Sequence, residues 1–209
     1  MKLVVTGAGR SATGYTSTVL RACGVACGHE KVFHPKTLLA EWGELDADAS
    51  WIAVPHMRGI KASGAHVLHQ IRDPLAVVRS LYGLKIFEHH RPQEDPYLHV
   101  IWKFDKAIFA YDDPLRRVMS YWIRWNLAAE AQADGSYRIE SMDPERLHAM
   151  CRLVNPSIAL KTCEAAIRDS DRTYNTRGPD LSITWQDLPV DPLTEQFCDL
   201  AERYGYHPQ

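Results

Sequence analysis

The beginning of the chain constrains the fold most, because it combines an apolar run, a glycine-rich turn and an amphipathic segment. Residues 2–6 form a largely apolar run that ends in glycines, which is typical of a buried strand. Across residues 13–23, small and apolar side chains recur at the spacing of one helix face, and Gly24 follows as a C-terminal cap. The sequence therefore predicts a strand, a tight turn and a helix in direct succession.

Strand and helix patterns alternate along the rest of the chain. Further strands are predicted at residues 25–28, 51–54, 67–71 and 137–140. Helices are predicted at residues 73–87, 97–111, 115–133, 144–153, 158–168 and 192–204, and polar loops at 89–96 and 173–181. Such alternation implies parallel strand pairing. The predicted fold class is therefore α/β, a three-layer α/β/α sandwich with a mainly parallel central sheet.

Composition narrows the class of protein. The length of 209 residues fits one domain, and 45% hydrophobic with 24% charged residues is ordinary globular composition. A net charge of −2 disfavours non-specific nucleic-acid binding, and no apolar run approaches the length of a signal peptide or a membrane span. The 5 cysteines are odd in number and irregularly spaced, so we expect reduced thiols and a cytoplasmic protein without a zinc site.

The residues between the first strand and helix suit an anion. Glycines at positions 7, 9 and 14 permit a tight turn, and a helix start offers unpaired N–H groups and a positive dipole end. Arg10, Ser11, Thr13 and Thr16 add side-chain donors for a phosphate or sulfate. Because residues with a β-carbon avoid positive φ, we expect a negative φ at Ala12.

Known phosphate motifs fit this turn unequally. A Walker loop would need a lysine that the turn lacks. A dinucleotide fingerprint is matched by Gly7 and Gly9, with Ala12 in place of the third glycine and Glu30 as the acidic residue downstream. An NAD(P)-dependent oxidoreductase therefore remains an alternative, although no tyrosine has the lysine four residues later that a short-chain dehydrogenase would need.

Two segments together resemble a known enzyme family. Gly9-Arg10-Ser11-x-Thr13, directly after the first strand, resembles the 5′-phosphosulfate loop of sulfotransferases that use 3′-phosphoadenosine 5′-phosphosulfate (PAPS). Arg72-Asp73-Pro74, with Ser80 eight residues after Arg72, is similar to the family's binding motif for the donor's 3′-phosphate. The resemblance implies that residues 1–209 form a single domain with the P-loop-NTPase-like sulfotransferase fold, with Ala12 where the family usually has glycine.

The resemblance also implies roles for individual residues. It places the donor against Gly9, Arg10, Ser11, Ala12, Thr13, Gly14, Tyr15, Thr16, Arg72, Ser80 and Arg177. Arg10 would neutralise charge on the leaving oxygen, and no metal is expected. The family uses Glu or His as the base, and the candidates here are Glu30 first, His29 second and His34 third. The acceptor would be a small molecule or a saccharide, and the sequence does not indicate which.

Several features stay open at the level of the sequence. Tyr121, Trp122 and Trp125 lie together on a predicted helix, either as core or as an aromatic wall for a ring-shaped acceptor. His89 and His90 are expected in a solvated loop. A non-catalytic nucleotide-binding module of the same fold is a further alternative, and the sequence carries no indication of oligomeric state.

Overall fold

The computed structural model describes residues 1–33, 42–88, 91–170 and 181–208. Four of the sequence predictions therefore lie outside the described residues. They are the third base candidate His34, the histidine pair His89 and His90, the donor contact Arg177, and nearly all of the loop predicted at residues 173–181.

A five-stranded, all-parallel sheet forms the centre of the described structure. Its strands are β1 (Leu3–Thr6), β2 (Cys27–His29), β3 (Ala47–Ala49), β4 (His66–Ile71) and β5 (Gly135–Arg138), in the order β2-β3-β1-β4-β5. The predicted α/β class with a parallel sheet is confirmed, and helices flank the sheet as a three-layer arrangement requires.

Eight α-helices are present in the described part of the chain: α1 (Thr13–Ala22), α2 (Met57–Ala62), α3 (Pro74–Gly83), α4 (Pro96–Phe104), α5 (Pro114–Glu130), α6 (Pro144–Val154), α7 (Leu160–Asp169) and α8 (Pro192–Arg203). Five of them, α3, α4, α5, α6 and α8, begin with proline preceded by an aspartate whose carboxylate accepts a backbone N–H of the first turn. The aspartate satisfies an unpaired donor and the proline fixes a helical φ, so this dipeptide starts the helices sharply.

The strand predicted at residues 51–54 is wrong. Residues Trp51–His56 form a 3-10 helix, and β3 lies just before it at Ala47–Ala49. The Ser50 side chain accepts the Ile52 N–H and so turns the backbone out of the sheet, and Pro55 cannot donate to a strand ladder. The apolar residues of this segment are buried in the 3-10 helix rather than in a strand.

Other predicted elements are shorter than the sequence suggests. The helix predicted over residues 97–111 ends at Phe104, where Asp105 caps a 3-10 turn at Lys106–Phe109. The helix predicted to residue 87 ends at Gly83, and the strand predicted to residue 140 ends at Arg138. The loop predicted at residues 89–96 contains a 3-10 turn at Pro92–Glu94 and the start of α4.

Both faces of the sheet are buried. Leu3 and Val5 lie in a hydrophobic cluster with residues of α1, α6 and α7, whereas Val4 lies in another with Ile52 and Met57. A third cluster, built largely from α3, α5 and α8, adjoins the second through Trp51. Within the described parts of the chain, no helix has both the length and the apolar character to cross a membrane.

Candidate active site

The turn between β1 and α1 is fixed by contacts with β4 and α5. A β-carbon at Gly7 would lie 2.1 Å from the carbonyl oxygen of Gln70, so only glycine fits there. The Gly9 N–H donates to the Tyr121 hydroxyl at 2.7 Å, and the Gln70 side-chain amide donates to the Ser11 carbonyl. Thr16 in turn donates to Gln70 Oε1 at 2.5 Å. Buried hydrogen bonds therefore hold the turn from beneath.

The expectation of a negative φ at Ala12 is wrong. Arg10 has a φ of 70° and Ala12 a φ of 66°, both in the left-handed region. Ala12 is the residue that precedes α1, and no described side chain caps this end of the helix. The first turn of α1, whose N–H groups have no intrahelical acceptor, contributes residues to the lining of the cleft described below, and Ala12 bears the strain that a glycine would avoid.

The two predicted anion-binding segments meet at Arg10. Its Nε donates to Ser80 Oγ on α3 at 2.7 Å, and Nη1 of Arg72 donates to the Arg10 carbonyl oxygen at 2.9 Å. The side chains that the sequence assigned to the two ends of one nucleotide are thus neighbours. Arg72 directly follows β4, and Asp73 caps α3 by accepting the Ala76 N–H at 2.7 Å.

One cleft of about 700 Å³ lies over this end of the sheet. Each strand is followed by a segment that contributes to its lining, so the cleft occupies the carboxyl edge, where parallel sheets usually bind ligands. Nine of the predicted site residues line it: Gly9, Arg10, Ala12, Thr13, Gly14, Tyr15, His29, Glu30 and Arg72. Ser11, Thr16 and Ser80 do not line it, because the first two are buried beneath the turn and the third is bonded to Arg10.

The two described base candidates lie side by side where β2 ends. His29 Nε2 is 3.3 Å from Thr13 Oγ1 and 3.6 Å from a carboxylate oxygen of Glu30. Burial, followed by the positive charges of Arg21 and Lys31, lowers the pKa of His29. Burial, followed by the charge of Asp48, raises the pKa of Glu30. Both shifts favour the uncharged form of the group, as burial in a partly closed cleft should.

Sequence analysis missed several residues that shape the site. Asp48 of β3 is fully buried, with a pKa raised to about 6 chiefly by burial, and it accepts the Lys31 N–H at 3.2 Å. Trp51 and Tyr97 line the cleft from segments predicted as a strand and as a helix without a site role. Trp122 and Trp125 pack fully buried in the core, and Tyr121 does so as well while also lining the cleft.

A cluster of thiols lies apart from the cleft. The sulfur atoms of Cys23, Cys151 and Cys163 lie within 4.8 Å of one another, at the contact of α1, α6 and α7. Burial raises the pKa of the Cys23 thiol to about 12, so this thiol is protonated in the metal-free protein. We therefore assign the cluster to the core, where cysteine packs as a small apolar side chain.

The cleft thus combines two arginines, which follow the neighbouring strands β1 and β4, with a half-buried histidine–carboxylate pair. Comparison of the chain with protein-family models, with curated proteins and with solved structures finds no match.

Proposed function

We propose that this chain is a sulfotransferase, which moves a sulfuryl group from PAPS to a hydroxyl or amine of an acceptor. The observation that carries the proposal is the contact between the two anion-binding segments. Arg10 and Arg72 line one cleft and are joined through the Arg10 carbonyl, so a single ligand with two anionic groups can contact both. A chain that bound one isolated phosphate would need only the turn.

The donor groups in the cleft fit such a ligand. The first turn of α1 lines the cleft and brings the positive end of the helix dipole to it, and Arg10 adds a permanent positive charge. Arg72 supplies a second planar set of donors nearby.

Different residues of the cleft have different roles in the reaction. When bound, PAPS supplies the sulfuryl group and a phosphate as the leaving group. Ser80 orients Arg10, which stabilises negative charge as the bond from sulfur to the bridging oxygen breaks and its electron pair stays on that oxygen. Glu30 or His29 takes the proton of the acceptor as the acceptor oxygen bonds to sulfur. Thr13, 3.3 Å from His29, helps to hold the imidazole.

Calorimetry with adenosine 3′,5′-bisphosphate and with NADP tests the proposal. We expect heat of binding with the bisphosphate and none with NADP. In Arg72→Ala the affinity for the bisphosphate should fall by about tenfold or more, because a charge-assisted hydrogen bond contributes about 1.5–3 kcal/mol. Arg58→Ala is the matched control, since Arg58 is exposed on α2 and does not line the cleft. No heat with the bisphosphate would refute the proposal, and heat with NADP alone would favour the oxidoreductase.

A second experiment separates the enzyme from a non-catalytic nucleotide-binding module. The double variant Glu30→Gln, His29→Gln should still bind the bisphosphate, since neither residue belongs to the two arginine segments, but should lose sulfuryl transfer. A chain that keeps its full biological effect in this double variant would be a binding module of the same fold.

A further inference from the structure

The cleft continues beyond the polar turn into a wall of apolar and aromatic side chains. This wall comes from the 3-10 helix after β3, from the end of α3 and the turn after it, from α4 and from α5. We call it the apolar wall, and its members are Trp51, Leu81, Ile86, Phe87, Tyr97, Leu98, Ile101 and Tyr121. The apolar wall contains no side chain of the two anion-binding segments, so this part of the cleft has a separate binding role.

The apolar wall is packed firmly enough to act as a preformed surface. The Trp51 ring stacks on Tyr97 with centroids 6.2 Å apart and lies 5.5 Å from Trp125. The Trp125 indole N–H donates to the Trp51 carbonyl oxygen at 3.0 Å, which anchors the Trp51 backbone to α5. Tyr97 is 44% exposed, whereas Leu98 and Ile101 behind it are buried. A ring entering past Tyr97 would therefore meet ordered aromatic and aliphatic surface.

The charges of the cleft are confined to its other parts. Among the described lining residues, Arg10 and Arg72 are the permanent cations, and both are hydrogen-bonded at the turn. Glu140 lies at the β5 side, where it accepts the Asp73 N–H and the Tyr206 hydroxyl. Apart from these three, the acidic and basic side chains among the described lining residues are Glu30 and His29, and a side-chain hydrogen bond from Trp51 partly offsets the rise in the pKa of Glu30 that burial causes. Arg117 does not line the cleft: it is buried behind the apolar wall, where it donates to the Phe87 carbonyl oxygen at 3.0 Å. An acidic acceptor would bring its charge to a carboxylate rather than to a cation.

On the basis of the proposed function, we infer that the acceptor is an uncharged aromatic or alicyclic alcohol. Its ring would lie on the apolar wall, and its hydroxyl would point to Glu30 and His29 beside the turn. The hydroxyl oxygen would form the new bond to sulfur and lose its proton to one of these two residues, while the phosphate oxygen leaves with the electron pair of the broken bond. Saccharides and carboxylated rings are disfavoured, because the apolar wall offers few partners for their polar groups.

Three acceptor probes test this inference in the presence of saturating adenosine 3′,5′-bisphosphate. They are 2-naphthol, 6-hydroxy-2-naphthoate, which adds a carboxylate to the same ring system, and N-acetylglucosamine. By calorimetry we expect 2-naphthol to bind, the naphthoate to bind at least about tenfold more weakly, and the sugar to give no heat. With PAPS, mass spectrometry should detect naphthyl sulfate and no sulfated sugar.

A pair of variants of α4 locates the binding surface. Tyr97→Ala removes an aromatic ring of the apolar wall and should weaken 2-naphthol binding by about tenfold without changing bisphosphate affinity. Trp102→Ala is the matched control, because Trp102 is an aromatic residue of the same helix that does not line the cleft. It should leave both affinities unchanged.

The outcomes separate the inference from the function on which it rests. If the bisphosphate binds but 2-naphthol does not, or if the naphthoate or the sugar binds as well as 2-naphthol, the acceptor class is wrong and the sulfotransferase proposal stands. An equal loss of 2-naphthol binding in Tyr97→Ala and Trp102→Ala would also overturn the inference. If 2-naphthol binds and the bisphosphate does not, the sulfotransferase proposal fails. The inference that the apolar wall binds a sulfuryl acceptor then fails as well.

Discussion

Arg10 and Ala12 hold the left-handed conformation at the turn between β1 and α1, although neither is glycine. For a residue with a β-carbon this conformation costs on the order of 1–2 kcal/mol, and it persists only where neighbouring contacts over-determine it. Here the contacts are those of Gly9 with Tyr121 and of Ser11 with Gln70. The strain lies at the residues that the proposed function places on the donor, where a fixed anion site requires it.

Ala12→Gly should stabilise the protein. Glycine removes the left-handed strain but adds freedom to the unfolded chain, so we expect a net gain of up to about 1 kcal/mol in the free energy of unfolding, measured by urea denaturation. Ala149→Gly is the control, because Ala149 is exposed in the interior of α6, where the same change should cost about 1 kcal/mol. Destabilisation of similar size in both variants would mean that position 12 is not strained.

The pKa shifts of His29 and Glu30 predict where activity is lost in acid. Burial lowers the pKa of His29 below its ordinary 6.5 and raises that of Glu30 above its ordinary 4.5. A general base acts in its deprotonated form, so the rate should fall as the pH drops through its pKa. If His29 is the base, we expect the acidic limb of the rate profile below pH 6.5, and if Glu30 is the base, we expect it above pH 4.5.

Rates of naphthyl sulfate formation across this pH range, in wild type and in two single variants, identify the base. Replacing the true base should lower the rate by about 10²–10⁴-fold and remove the limb. Replacing its neighbour, as Glu30→Gln or His29→Gln, should leave the limb in place. A limb that survives in both variants would exclude this pair.

At the scale of elements, α5 holds the turn between β1 and α1 in place through one hydrogen bond. Tyr121→Phe removes the acceptor of the Gly9 N–H, which lies in a buried environment, so we expect a loss of about 1–3 kcal/mol in the free energy of unfolding and weaker binding of the bisphosphate. Tyr15→Phe is the stability control, since the Tyr15 hydroxyl is buried without a hydrogen-bond partner among the described residues. Equal stability of the two variants would show that the bond to Gly9 contributes nothing.

Elements with a complete local signal could be predicted from the sequence, and those shaped by tertiary contacts could not. β1, α1, β4 and α3 combine an apolar run or helix face with a glycine or Asp-Pro boundary, and all four form. β3 consists of Ala47, Asp48 and Ala49, whose central carboxylate is stabilised by distant backbone groups, so its sequence has no apolar pattern. Residues 51–54 have that pattern, but Ser50 redirects the backbone.

The residues of the candidate site likewise fall into those that could be predicted from the sequence and those that could not. The turn and Arg72 could be predicted because each lies within one contiguous segment beside a strand end. The apolar wall could not, because Trp51, Phe87 and Tyr97 come from three segments and share no periodicity. The contact that joins the two anion-binding segments, from Arg72 to the Arg10 carbonyl, likewise spans residues far apart in the sequence and needs the order of the sheet to be known.

At the scale of the whole molecule, the reactivity of the cysteine thiols measures how readily the fold opens. Cys23, Cys27, Cys151 and Cys163 are buried on the side of α1, α6 and α7, whereas Cys198 is half-buried on α8. Burial raises the pKa of Cys23 and of Cys27 to about 12, so these thiols are protonated and inaccessible in the native protein. Only Cys198 is placed to react with a disulfide reagent without unfolding.

We therefore expect the native protein to release one equivalent of thionitrobenzoate from Ellman's reagent, and five after denaturation. A Cys198→Ser variant should release none while folded. The buried thiols should react only through opening of the fold, at a rate set by the population of open molecules when closing is fast. Saturating adenosine 3′,5′-bisphosphate, at 100 times its dissociation constant, should slow that reaction by about 100-fold, because binding stabilises the folded state by about 2.7 kcal/mol. Since α1 begins at the turn that the proposed function places on the nucleotide and ends beside Cys23, unchanged labelling under saturating ligand would mean that this side of the sheet opens without releasing the nucleotide.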